Sequence, residues 1–149
     1  MSLICAVCLV TGAQASSLKN NSKDHEVSIR LTSKGDEIAF SPTLIEARVG
    51  QKIKITFVNE AAKDSGIDHN LAILRRGTLD RFIVDLQKVG YNLPDIVKNS
   101  ALIHMSRVLK PGEKETFEFS PEQAGSYPYL CLMAGHGDVL NMRGTIEVK

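Results

Sequence analysis

Two periodicities divide the chain. From Glu26 onward apolar residues recur every second position: Val27, Ile29 and Leu31, then Ile53, Ile55 and Phe57 against Lys52, Lys54 and Thr56. A period of two describes a strand with one buried face. Further short runs behave alike: Ile38–Phe40, Thr43–Val49, Ile103–Leu109, Thr116–Phe119, Ser126–Cys131 and Gly144–Val148. The run from His69 to Leu74 is apolar without alternation. Turn formers separate the runs, among them Ser33-Lys34-Gly35-Asp36, Gly50-Gln51 and Lys110-Pro111-Gly112-Glu113. Asn59 to Gly66 reads as a polar loop.

One segment breaks this rhythm. Leu79, Phe82, Ile83, Leu86 and Val89 share one face of a helix, with Thr78 placed to cap its start and Gly90 its end. A weaker helical stretch follows from Asn92-Leu93-Pro94-Asp95 through Ile96, Val97 and Ala101. The expected fold is all-β: a Greek-key β-sandwich of about eight strands, with a helical insertion at about 78–102 packed on the outside of a sheet.

The chain of 149 residues is long enough for one domain with a substantial core. Its formal net charge of +1, without a basic run, implies no nucleic-acid partner. Residues 1–15 read differently. An apolar run from Leu3 to Val10 precedes Ala13-Gln14-Ala15, the small-residue pattern of signal-peptide cleavage before Ser16. The run is too short to span a bilayer. The expected organisation is therefore a secretory signal over 1–15, a flexible polar N-terminus over 16–25 and one domain over 26–149, in a periplasmic or secreted protein. His25 receives no role.

Removing residues 1–15 leaves one cysteine of three, Cys131. A single thiol in an oxidising compartment makes no internal disulfide; it is inert, paired between chains, or a ligand. Its neighbourhood favours the last. Cys131 is followed by His136 and then Met142 on one loop between two strands, and His69 stands at the head of an apolar run. Thiolate, imidazole and a weak thioether suit a one-electron copper site. In a sandwich, one pole can bring the Cys131–Met142 loop together with a loop from the opposite sheet that ends at His69. His104 and Met105 adjoin in a strand, so they face opposite ways and form no second site.

These residues resemble the cupredoxins, the type 1 blue-copper proteins, and within them the azurin and auracyanin group. The carriers are His69-Asn70-Leu71, Leu109-Lys110-Pro111-Gly112-Glu113, the stretch from Gly125 to Cys131, Gly135-His136 and Met142-Arg143-Gly144-Thr145. The resemblance implies one copper ion bound by His69, Cys131 and His136, with Met142 as axial sulfur. Asn70 would tie the two ligand loops together and, with the backbone of Met133, donate N–H groups to the cysteine sulfur. An apolar patch of Leu132, Met133, Ala134 and Gly137 would surround His136. Three positions depart from the pattern. Asp68 replaces a glycine, Ala134 replaces a proline, and the His136-to-Met142 loop is longer than in azurin and must bulge.

The implied function is electron transfer between Cu(I) and Cu(II), not enzymatic. Redox partners would be c-type cytochromes or copper-containing reductases, and the protein a monomer or weak oligomer. The alternative is a protein that stores or delivers copper.

Overall fold

A computed structural model describes residues 25–149; the expected signal segment and nearly all of the polar N-terminus lie outside the described residues. Among the described residues, nine strands form two sheets. The first contains β1 (Glu26–Lys34), β2 (Glu37–Ser41), β4 (Lys52–Val58) and β7 (Lys114–Phe119), in the order β2-β1-β4-β7. The second contains β3 (Leu44–Ala47), β5 (Ala72–Leu74), β6 (Leu102–Met105), β8 (Gly125–Leu130) and β9 (Arg143–Val148), in the order β3-β9-β8-β5-β6. β1 runs parallel to β4, and β3 parallel to β9; the other pairings are antiparallel. The expected all-β sandwich with a helical insertion is the observed fold.

The main core lies between the sheets. Leu31, Phe40, Ile53, Ile55 and Phe57 face Ile45, Ile73, Tyr129, Ile146 and Val148, all nearly or fully buried. The alternation of Ile53, Ile55 and Phe57 against Lys52 and Lys54 places the lysines in solvent.

The second sheet is covered on its other face as well. Helix α1 (Leu79–Lys88) and the short α2 (Leu93–Ile96) bring Phe82, Leu86 and Ile96 onto Ala72, Leu74, Leu130 and Leu132. Burial on both faces explains why the run into β5 lacks alternation: Ala72, Ile73 and Leu74 are all buried. The helix starts at Thr78, but the threonine hydroxyl donates back to the Arg75 carbonyl at 2.7 Å and caps no helical N–H. Its other end closes as expected near Gly90. The Gly90 N–H reaches the Gln87 carbonyl and the Tyr91 N–H the Leu86 carbonyl, both at 3.0 Å, a Schellman closure with Gly90 at φ 58°.

His104 stacks on Phe117 with ring centroids 3.8 Å apart, while Met105 packs toward the helices. The two face opposite ways, as expected.

Candidate metal centre

Three adjacent strands of the second sheet, β9, β8 and β5, converge at one pole. Cys131 directly follows β8, Met142 directly precedes β9, and His69 lies just ahead of β5. The His69 segment therefore leads into the same sheet as Cys131, not the opposite one as expected. The register decides this: Ala72 pairs with Leu130, which sets the residues before β5 beside those after β8. The opposite sheet contributes only indirectly. His69 forms an isolated antiparallel bridge with Leu109, ahead of β7, with hydrogen bonds of 3.1 and 2.7 Å.

A residue outside the expected set supports this bridge. Asn59 is fully buried. Its amide donates to the Ile67 and Leu109 carbonyls, each at 2.9 Å, and its oxygen accepts from Ser33 Oγ and the Ala61 N–H, each at 3.1 Å. Every polar capacity of that side chain is used to hold the segments that carry His69. In sequence Asn59 merely opens a polar loop, and no local pattern marks it.

The ligand loop is held by its own backbone. The Cys131 N–H donates to the Met142 carbonyl at 3.1 Å, the Met142 N–H to the His136 carbonyl at 2.8 Å, and the His136 N–H to the Met133 carbonyl at 2.9 Å. The bulge demanded by the long loop is a tight turn: the Val139 and Leu140 N–H groups both donate to the Gly135 carbonyl, at 3.2 and 2.9 Å. Gly137 must be glycine, because a Cβ there would lie 2.3 Å from the Cys131 carbonyl oxygen.

Cys131 Sγ lies 3.6 Å from His136 Nδ1 and 3.9 Å from His69 Nδ1. The donor atoms of His69, Cys131 and His136 all fall within 4.8 Å of one another, and among the described residues no carboxylate joins this cluster. Asp68, next to His69 in sequence, is not part of it. First-row metal bonds of about 2.0 Å to imidazole and about 2.3 Å to thiolate, in a trigonal plane, separate nitrogen from sulfur by about 3.7 Å. The observed separations bracket that figure, so the three donors fit one ion. Met142 is fully buried in the same core cluster as Cys131.

The electrostatics suit a metal as well. Burial and, secondarily, the neighbouring His136 push His69 down to about 4, and burial also lowers His136; both imidazoles are neutral at pH 7. Burial outweighs the downward pull of the Asn70 and Met133 backbone N–H groups and leaves the Cys131 thiol pushed up to about 11. Those are the two N–H donors the resemblance implied. The Asn70 side chain ties the loops: its oxygen accepts from the Leu132 N–H at 2.7 Å and faces Cys131 Sγ at 3.6 Å.

The sequence agrees with this geometry. Residues 26–149 match the family of copper-binding proteins described as plastocyanin/azurin. The chain belongs to that family. Copper is the cofactor of such cupredoxins, and His69, Cys131 and His136 form a candidate type 1 site. Auracyanin-A of Chloroflexus aurantiacus is 26% identical, aligned over 100% of this chain and 91% of its own length. The reduced auracyanin of Roseiflexus castenholzii superposes with a TM-score of 0.70 at 27% identity, covering 82% of this chain and 96% of that one. The structure of auracyanin A, a "blue" copper protein from Chloroflexus aurantiacus, gives 0.67 at 26% identity, over 83% and 99%.

The expected cupredoxin patch around His136 differs in membership. Leu132 is fully buried beneath the helices and Gly137 is buried against Cys131 and Leu130. Leu132 follows Cys131 directly, so it takes the outer face of the sheet, where the insertion covers it. The exposed apolar residues of the loop are Ala134, Val139 and Leu140, the last two 74% and 56% exposed. The longer loop lifts them outward.

Proposed function

We propose that the protein is a type 1 copper electron carrier, exported to the periplasm or cell exterior, in which His69, Cys131 and His136, with Met142 as a fourth donor, would hold the ion. The observation that carries this reading is the arrangement of both Nδ1 atoms around the cysteine sulfur at near-trigonal spacing before any metal is considered. Copper supplies the one-electron couple, with little for the protein to rearrange between states. The buried imidazoles are kept neutral and available as ligands. Cys131 would hold the ion as a thiolate, a form the Asn70 and Met133 backbone N–H groups favour. The hydrogen bonds around Leu132, Met142 and Leu109 hold the donors in place.

His136 is the half-exposed side of the site. Ala134, Val139 and Leu140 on its loop offer a small apolar surface for brief docking to a c-type cytochrome or a copper-containing reductase. The net charge of +1 gives little long-range steering. The protein is read as a monomer or weak oligomer. Among the described residues no helix is long and apolar enough to cross a membrane. Four donors leave no place for a substrate, so the role is not enzymatic.

The test is the visible spectrum of the Cu(II) protein. An intense thiolate-to-copper band is expected, absent in Cys131→Ser; a colourless Cu(II) complex overturns the reading. Reversible voltammetry with slow copper loss to a chelator is expected of a carrier. Fast loss with sluggish electron transfer would mark a protein that stores or delivers copper instead.

A further inference from the structure

The helical insertion touches the ligand loop at one polar point. The Asp138 carboxylate, two residues beyond His136, accepts from Gln87 Nε2 at 2.8 Å and from the Tyr91 hydroxyl through the same oxygen. Gln87 stands near the end of α1, and Tyr91 is the residue that completes its closing turn. One hydroxyl therefore reaches the loop two residues after the half-buried His136.

The backbone of Tyr91 makes this contact more informative. It sits at φ 60°, in the left-handed region that residues with a Cβ avoid. Glycine or asparagine would close the helix there with less strain. An unfavourable conformation that carries a large aromatic side chain points to a use for that side chain.

We propose that Tyr91 is a positioning residue for His136: bonded beside Gln87 to Asp138, it clamps the turn that carries the imidazole and holds its Nδ1 toward the Cys131 sulfur. The helical insertion is thus the support of the half-buried side of the site. It replaces, from outside the sheet, the kind of anchoring that His69 obtains from Leu109 and Asn59 within it. This rests on reading His136 as a copper ligand.

The test uses the full mature chain with Tyr91→Phe, which removes only the hydroxyl. In the copper-free protein, amide hydrogen exchange over 135–140 is expected to speed up by about tenfold or more, as for loss of one hydrogen bond to a charged acceptor, with 69–71 unchanged. Asp138→Ala should reproduce this, the double variant should add little, and Asp138→Asn, which keeps an acceptor oxygen, should restore most of the protection. In the Cu(II) protein, altered relative band intensities and several-fold slower electron self-exchange are expected. Unchanged exchange over 135–140, or a uniform increase across the molecule, overturns the clamp. If wild type binds Cu(II) without colour, the carrier reading fails, while the copper-free exchange data still judge the clamp.

Discussion

The two histidines of the site are held by opposite means. His69 is fully buried, bridged to Leu109 by two backbone hydrogen bonds and supported by Asn59, itself fully buried. His136 sits half-exposed on a turn, held by loop hydrogen bonds and by side chains reaching over from the insertion. One half of the centre is part of the core; the other is a surface loop tethered to it. An electron carrier needs both. The buried half sets the position of the donors and shields them from water, and the exposed half lets a partner approach the metal.

Ring-deletion variants break this comparison most severely. His136→Gly should lose the blue band and regain it with added imidazole, because solvent reaches that position. His69→Gly should lose the band without rescue, since no path leads to a fully buried ring. Equal rescue of both, measured by absorbance during imidazole titration, would erase the distinction.

Asn59→Ala strikes the buried half alone. It strands the Ser33 hydroxyl, the Ala61 N–H and the Ile67 carbonyl, so denaturant unfolding should show a loss of about 3 kcal/mol or more. A loss under about 1 kcal/mol would mean that the bridge at His69 stands without it.

Met142→Leu is milder. The swap nearly conserves volume, so stability should change by less than about 1.5 kcal/mol. Loss of a thioether that favours Cu(II) should raise the reduction potential. An unchanged potential by voltammetry would make Met142 core filling rather than a ligand.

The smallest effect concerns His104, away from the metal. Burial lowers its folded pKa, although Glu115 at 3.9 Å pulls the other way. The unfolded chain therefore binds the proton first. The histidine's contribution is constant above its unfolded pKa of about 6.5, and stability falls as pH drops below that value toward the folded pKa. His104→Phe, stacked on Phe117, should show a shallower acid decline in thermal melts than wild type. An identical slope would remove His104 from the balance.

Much of the site was legible because its chemistry is local. Cys131 and His136 lie on one short loop, five residues apart. The strand periods of Ile53, Ile55 and Phe57 and the helical stripe of Phe82 and Leu86 were equally plain, because one-sided burial writes itself into side-chain spacing. Gly90 announced the helix end for a related reason: the left-handed turn needs its missing Cβ.

What tertiary structure alone decided was everything that depends on strand order. Which sheet receives the His69 segment follows from β5 lying beside β8, and no periodicity encodes that neighbour. Leu132 looked like a surface residue until the insertion covered the outer face. Asn59 and Tyr91 carry no local signature, since the partners that matter to the site, Leu109 and Asp138, lie 50 and 47 residues away in the chain. A sequence displays the chemistry of each side chain and the period of its element; the partners of a buried amide or a reaching hydroxyl exist only once the sheets have closed.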